Sequence, residues 1–501
     1  MKKITILFAA ALIAGSAMAS EKRGISENQF TYACQMKALT PRCKWYYNWG
    51  QTPTKGFEDQ VADFTELEFV PMAWNGFNEA TIRDYVKSHP QCKYILGYNE
   101  PNFKAQSNKT PQQAASEWPA LQALAKDLGL KLVSPALNYS PDAPYQDPLK
   151  WMDEFVALVG PDAFDYTAIH CYGGNGVLKD LATKFYNKYK KPVWVTEFCY
   201  WPGGAGDVYV SPSQQIADMV ASLQWLEQTD FIYRYSWFKA IGASDQANKP
   251  NYGLLQAQRG KTTSLLTAQG LVYMHLWDFD KNYYIPVECT WPATSFVNGS
   301  NVGINAMPGA VLKYSSKQPD GNYIAEEPEN YVPFPIWIEK FTGEAYADYQ
   351  FDVPEAGAYT LVLQVAGKGE PTFYDPTLGV YSVNADGSQG AELVAPAKYT
   401  LSGSDETIIN LYMHMTLSAG KQTIRLKDCN RSQPSGVHIS TLRLCKGSGI
   451  DGVEAAPTAT GDNRVYSVSG AVVRENADPA APFAGLAPGI YIMNGRKYVV
   501  K

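Results

Sequence analysis

The apolar positions along this chain change rhythm after about residue 284. Before that point, short runs rich in Val, Ile, Tyr, Phe and Trp alternate with longer stretches of helical character. Lys44–Trp49, Glu68–Trp74, Lys93–Asn99, Lys131–Leu137, Tyr166–Tyr172, Pro192–Phe198 and Phe231–Phe238 read as strands. Several are apolar on both faces, as strands of a buried parallel sheet must be. Gln112–Leu128, Trp151–Leu158 and Pro212–Glu227 carry helical patterns between them. Regular strand–helix repetition predicts an α/β fold, a (β/α)8 TIM barrel over residues 30–284. Seven strands are legible where such a barrel needs eight. The eighth is expected near Cys34 or inside Asn78–Gln91.

From residue 285 to 447 turn residues crowd in and the strands become alternating. Ala347–Val353, Tyr359–Val365, Leu378–Val383, Ile408–Leu417, Gln422–Leu426 and Val437–Leu444 are separated by turns such as Pro354-Glu355-Ala356-Gly357. This predicts an all-β sandwich. Residues 448–462, rich in Gly, Ala, Pro and Thr, read as a linker. Residues 463–501 then form a small β domain, with Asn494-Gly495 as a hairpin turn between two β-rich runs.

Composition narrows the classes. The net charge of −6 over 501 residues is spread without long runs of one sign, which excludes the basic face of a nucleic-acid binder. Lys2 and Lys3, the apolar run Ile4–Ala14 and the small-x-small Ala17-Met18-Ala19 predict a cleaved signal peptide over residues 1–19. Secretion or display at a bacterial cell surface is therefore expected. No stretch is long and apolar enough to span a membrane. The cysteines number eight, and an exported chain meets oxidising conditions. Cys34/Cys43, Cys171/Cys199 and Cys429/Cys445 are candidate pairs, with connectivity left open. The spacings suggest no metal site.

Chemistry in a TIM barrel belongs at the C-terminal ends of the strands. Two strands there finish in a carboxylate: one in Tyr98-Asn99-Glu100-Pro101-Asn102, another in Thr196-Glu197-Phe198. With two strands between them, Glu100 and Glu197 face each other across the barrel mouth. Facing carboxylates can flank one glycosidic bond, one protonated to assist the leaving group and the other ionised to attack the anomeric carbon. Beside them, Asn99 is placed to bond a sugar 2-hydroxyl and Tyr172 to keep Glu197 ionised.

These residues carry a resemblance. Trp45-Tyr46-Tyr47-Asn48-Trp49, Glu68-Phe69-Val70-Pro71-Met72, Gly97-Tyr98-Asn99-Glu100-Pro101-Asn102, Lys131-Leu132-Val133-Ser134-Pro135-Ala136, Ile169-His170-Cys171-Tyr172 and Val195-Thr196-Glu197-Phe198 resemble glycoside hydrolase family 128 over roughly residues 40 to 280. The resemblance implies a retaining endo-β-1,3-glucanase, with Glu100 as acid/base and Glu197 as nucleophile. The expected partner is β-1,3-glucan and the expected state a monomer; no cofactor is required, because two carboxylates and water complete the reaction. The family pattern reads Asn-Glu-Pro-Asp, and Asn102 stands here in place of the Asp.

Ten of the twelve tryptophans fall in the barrel region. Trp74, Trp201 and Trp237 sit at or just past strand ends, where flat rings can meet the C–H faces of sugars. Trp237 resembles the residue that floors the cleavage subsite in related barrels. Tyr47, Asn48, Asn138, His170 and Tyr172 also end strands and are expected to bind hydroxyls. The sandwich resembles carbohydrate-binding modules, with Trp337 and Tyr374 as its candidate contacts. The last forty residues resemble the C-terminal sorting domains of Bacteroidetes-type bacteria. Two other readings remain: an inactive glucan-binding surface protein, and a retaining glycosidase of another β-linked polysaccharide such as xylan or mannan.

Overall fold

In a computed structural model the chain is described for residues 20–447, apart from residue 41 and segments 54–66, 203–207, 243–249, 257–262, 308–312, 316–333, 368–375, 400–406 and 431–436. Beyond these it is described at 465–467, 472–474, 483, 486, 489–493 and 496–500. The signal segment, the linker and Tyr374 lie outside the described residues.

Eight parallel strands form the first region: β1 (Arg23–Ser26), β2 (Trp45–Tyr47), β3 (Glu68–Phe69), β4 (Tyr94–Leu96), β5 (Lys131–Leu137), β6 (Tyr166–Cys171), β7 (Val193–Phe198) and β8 (Ile232–Phe238). Their order is β3-β2-β1-β8-β7-β6-β5-β4. The two ends of this path meet where Leu96 N donates to Pro71 O and Ala73 N to Leu96 O, each at 2.9 Å. The result is a TIM-like barrel. Its helices start on sequence-coded caps. Thr110 and Ser211 each form a capping box with a glutamine three residues on, ahead of Pro111 and Pro212.

The eighth strand is β1, upstream of both places where it was expected. Cys34 lies on the short helix Ala33–Lys37, and Asn78 caps the helix Glu79–Ser88. β1 closes the ring between β2 and β8, pairing Gly24 with Trp45 and Ile25 with Trp237.

The β-rich region departs from a two-sheet sandwich. One antiparallel sheet runs continuously through 389–398, 377–383, 420–428, 336–353, 437–446, 357–367 and 407–417, with 285–286, 291–292 and 298–306 joined at its side. The physical reason is the 18-residue strand Ile336–Val353. Its first half pairs with 302–306 and meets 437–446 at Ile338, and its second half pairs with 298–300 on one side and 420–428 on the other. Between the halves, Gly343 and Glu344 both take positive φ, at 56° and 64°, and bend the strand. The sheet therefore curls into a near-closed barrel around Tyr349, Phe351, Leu361, Leu363 and Ile424. Trp337 is buried within this region, edge-on to His438, and is packing rather than an exposed sugar contact.

The two regions touch. Gln228 Nε2 donates to Val297 O, Gln350 Nε2 donates to Lys281 O at 2.9 Å, and Trp277 meets Trp291 edge-on. At the C-terminus, 465–467, 472–474, 489–493 and 496–500 form a four-stranded antiparallel sheet. Met493 pairs with Arg496, so a two-residue connection links the last strands.

Candidate active site

The barrel mouth opens into a cleft of about 1140 Å³, lined from the ends of all eight strands. Among the described residues the lining ends at Lys239, so the second β region contributes nothing to it.

Glu100 reaches the cleft through an unusual piece of backbone. A Cβ on Gly97 would lie 2.9 Å from Pro135 N, Ser134 C and the Trp118 ring. Only glycine lets the chain leave β4 so close to β5. Glu100 itself has φ +41°, a left-handed conformation that a non-glycine residue holds only where its surroundings impose it. Its amide donates to Ala136 O at 2.9 Å, which fixes it to β5. Glu197 lies within the fully buried strand β7. Both side chains are buried yet line the cleft.

One carboxylate oxygen from each glutamate and a ring nitrogen of His170 all lie within 4.8 Å of one another. The donors around the pair are unequal. Glu197 Oε1 accepts from Trp49 Nε1 at 2.7 Å and from Tyr47 Oη at 3.1 Å, while Oε2 accepts from Tyr172 Oη. Glu100 Oε1 has His170 Nδ1 at 2.9 Å, and the same nitrogen is 3.3 Å from Glu197 Oε2. Donors to a carboxylate favour its charged form, so the set around Glu197 suits the ionised partner.

Burial pushes the Glu197 carboxyl above its ordinary range; His170 opposes this, Glu100 adds to it, and the Tyr172 and Trp49 donors oppose it. Burial alone would lower His170, but the charges of Glu197 and Glu100 and the hydrogen bond to Glu100 hold it above its ordinary value. Among the described residues these three side chains are also the group spaced to approach one cation. Two carboxylates and water suffice for glycoside hydrolysis without one.

The expected sugar-binding residues divide. Trp74, Asn99, Asn138, Tyr172 and Trp201 line the cleft. Asn99 is buried, with its Nδ2 donating to Gln106 Oε1 at 3.2 Å. Trp237 does not line the cleft. It is fully buried, donates from Nε1 to Tyr252 O and packs on Phe198 and Tyr273. The next residue, Phe238, takes the cleft position, edge-on to Tyr172 and Trp49. Tyr47 is buried behind the cleft and holds Glu197 rather than sugar. Asn48 closes its own loop, donating to Thr52 O and accepting from Gly50 N. His170 is buried between the two carboxylates.

Sequence reasoning missed Trp49, Phe238 and Lys239 as cleft residues. Trp49 had a signal: it ends the Trp45–Trp49 motif two positions after Tyr47. Its φ of +61° turns its ring toward Glu197. Of the candidate cysteine pairs, Cys171 and Cys199 are free buried thiols, and Cys429 and Cys445 are also free.

A parallel barrel with two facing carboxylates at its C-terminal mouth is the arrangement of a barrel glycoside hydrolase. Comparison with known proteins agrees: residues 24–268 match the glycosyl hydrolase catalytic core family. A family 128 subgroup II endo-β-1,3-glucanase from Pseudomonas viridiflava is 32% identical, covering 51% of this chain and 98% of its own, with a TM-score of 0.44. A subgroup V exo-β-1,3-glucanase from Cryptococcus neoformans is 27% identical, covering 50% and 98%, with a TM-score of 0.39. Alkali-sensitive linkage protein 1 of Schizosaccharomyces pombe is 26% identical over 200 residues, 39% of this chain. The chain spans about a third of the length of that curated relative (34%). Sequence identity over almost the whole of the Pseudomonas enzyme relates the chains. This chain belongs to glycoside hydrolase family 128.

Proposed function

We propose that the protein hydrolyses β-1,3-glucan by double displacement, with Glu197 as nucleophile and Glu100 as acid/base. The observation that carries this is the spacing of the pair. An oxygen of each carboxylate within 4.8 Å of the other fits the close pair of retaining enzymes, roughly 5–5.5 Å apart, better than the roughly 6.5–9.5 Å of inverting ones. Glu197 attacks the anomeric carbon and forms a glycosyl-enzyme ester, while Glu100 gives its proton to the departing glycosidic oxygen. Glu100, now a carboxylate, takes a proton from water. That water attacks the anomeric carbon and releases Glu197.

Tyr47, Tyr172 and Trp49 favour the charged nucleophile at the start and again when it is released. The β-1,3-glucan substrate is supported by the family relatives, which include both endo- and exo-acting enzymes. Internal cleavage is supported by a cleft whose walls extend to both sides of the pair, from Asn28 and Lys239 to Tyr139 and Val177. Action outside the cytoplasm is inferred from the signal-like first 19 residues, and fits a polymer too large to enter a cell.

The test is product release from linear β-1,3-glucan by the wild type, Glu100→Gln and Glu197→Gln, with the anomeric form of the first product read by NMR. Release of the β-anomer, and losses of several orders of magnitude in both variants, are expected. A wild type inert on β-1,3-glucan but active on xylan or mannan would move the substrate. A fully active variant would break the catalytic pair.

A further inference from the structure

Five large apolar side chains stand exposed among the described residues, and two of them, Tyr139 and Val177, line the cleft. Tyr139 is 41% exposed, immediately past the end of β5. Its ring and hydroxyl make no ring contact or hydrogen bond among the described residues, although its backbone is firmly held. Asn138 Oδ1 accepts from Tyr139 N at 2.8 Å. Ser140 N donates to Gln146 O at 3.1 Å, and Asp142 Oδ2 accepts from Lys104 N at 2.8 Å.

The main tie comes from Asn102. Its Nδ2 donates to Asn138 O at 2.8 Å and to Tyr145 O at 3.2 Å, and its own carbonyl accepts from Ser140 Oγ at 3.0 Å. An aspartate could not donate to two carbonyls, so the departure from Asn-Glu-Pro-Asp has a consequence here. It fastens the loop that presents Tyr139 to the loop that presents Glu100.

A well-tied loop that leaves two-fifths of a large aromatic residue in water forgoes apolar burial that the fold could have used. It does gain if a sugar ring lays its C–H face on the aromatic surface, because little conformational entropy remains to be lost on binding. The side of the cleft follows from the chemistry. Glu100 protonates the glycosidic oxygen, so the departing sugars lie beyond that oxygen on the Glu100 side. The end of β5, next to Glu100, borders that half of the cleft.

We propose that Tyr139 is the platform of a distal leaving-group subsite, where it stacks on a glucosyl ring of the departing chain, held in place by Asn102. This rests on the retaining β-glucanase reading above.

The experiment compares wild type, Tyr139→Ala and Tyr139→Phe on two kinds of substrate: linear β-1,3-gluco-oligosaccharides of increasing length, and a β-1,3-gluco-oligosaccharide with a nitrophenyl leaving group, too short to reach the loop. Tyr139→Ala is expected to lose on the order of ten-fold in kcat/KM on the longest oligosaccharides, about the worth of one aromatic contact. On the nitrophenyl substrate it should stay within about two-fold of wild type, and Tyr139→Phe should restore the loss, because the ring and not the hydroxyl carries the contact. Equal losses on both substrates, no loss on either, or failure of Phe to restore activity would each overturn the platform while the glucanase reading stands. A wild type inactive on every β-1,3-gluco-oligosaccharide overturns the glucanase reading, and the platform falls with it.

Discussion

The two ends of the barrel are built from similar residues and do opposite things. At the N-terminal end, the Arg234 guanidinium lies over the rings of Tyr94, Trp194 and Trp45 at 4.5, 5.1 and 5.6 Å, and donates to Glu68 at 2.7 Å. One cation meets one anion inside a cage of rings that also pack on each other, Trp45 on Trp194 and Tyr166 on Tyr233. At the C-terminal end, two buried carboxylates share one histidine, and the rings of Trp74, Trp201 and Phe238 line the open cleft. The lower end closes the barrel with a cation and an anion that neutralise each other among packed rings. The upper end gathers two buried acids beside an open cleft, an arrangement that gives up stability for function.

The largest effect that separates the ends should come from Arg234→Met. It leaves Glu68 without its partner and removes the cation from three rings, a loss of roughly 3 kcal/mol in urea unfolding. The kcat of the protein that remains folded should be unchanged. A fall in kcat without a loss of stability would show that the two ends are coupled and break the comparison.

At the mouth the sign should reverse. Burial, foremost, holds the Glu197 carboxyl above its ordinary value near 4.5. A carboxyl whose folded pKa is raised favours the folded state less and less as pH climbs past its unfolded pKa, and the full penalty is present above the folded pKa. Glu197→Gln removes that penalty. The variant should therefore be more stable than wild type at pH 7.5, by about 1 kcal/mol, even though it is inactive. The gain should shrink as pH falls through the raised folded pKa and be gone below about 4.5, where Glu197 is protonated in either state. Melting temperatures at pH 7.5 and pH 4 check this, and a gain that grows in acid would contradict it.

What could be read from the chain follows the same division between local and distant causes. The position of Glu100 and Glu197 at the barrel mouth was legible because each lies at the end of its own apolar strand, so a local pattern is enough to place it. β1 was not legible, because Arg-Gly-Ile-Ser does not look like a core strand. Arg23 is buried only because Glu227 and Asp278, more than 200 positions away, accept from its guanidinium. Gly24 is needed because the Trp45 ring fills the space a Cβ would take, at 2.4 Å.

The exchange of Trp237 for Phe238 is a one-residue error of facing, and in a strand one residue changes the side completely. Trp237 turns outward to Tyr273 on the helix Ala268–His275, and Phe238 turns into the mouth. The second region failed for a topological reason. A list of strands does not reveal that one of them, bent at Gly343 and Glu344, serves both halves of the sheet.

Tyr47 gives the finest test of the contrast, because sequence and structure assign it different work. As a sugar ligand, its loss should raise KM and leave kcat alone. The structure instead buries it completely and gives its hydroxyl two acceptors, Glu197 Oε1 and Thr196 O, both at 3.1 Å. Burial and the Glu197 charge push the Tyr47 phenol well above its ordinary range, so it stays a donor throughout the working range of the enzyme. Tyr47→Phe keeps the ring, its packing and its stacking on Trp45, and removes one of the three hydrogen bonds that Tyr47, Trp49 and Tyr172 make to Glu197. On the proposed mechanism, charged Glu197 then loses about one charge-assisted bond, so kcat should fall on the order of ten-fold with KM unchanged. The acid limb of the pH profile should move to higher pH, since one donor fewer favours the protonated form of Glu197. A raised KM with an unmoved acid limb would return Tyr47 to the substrate.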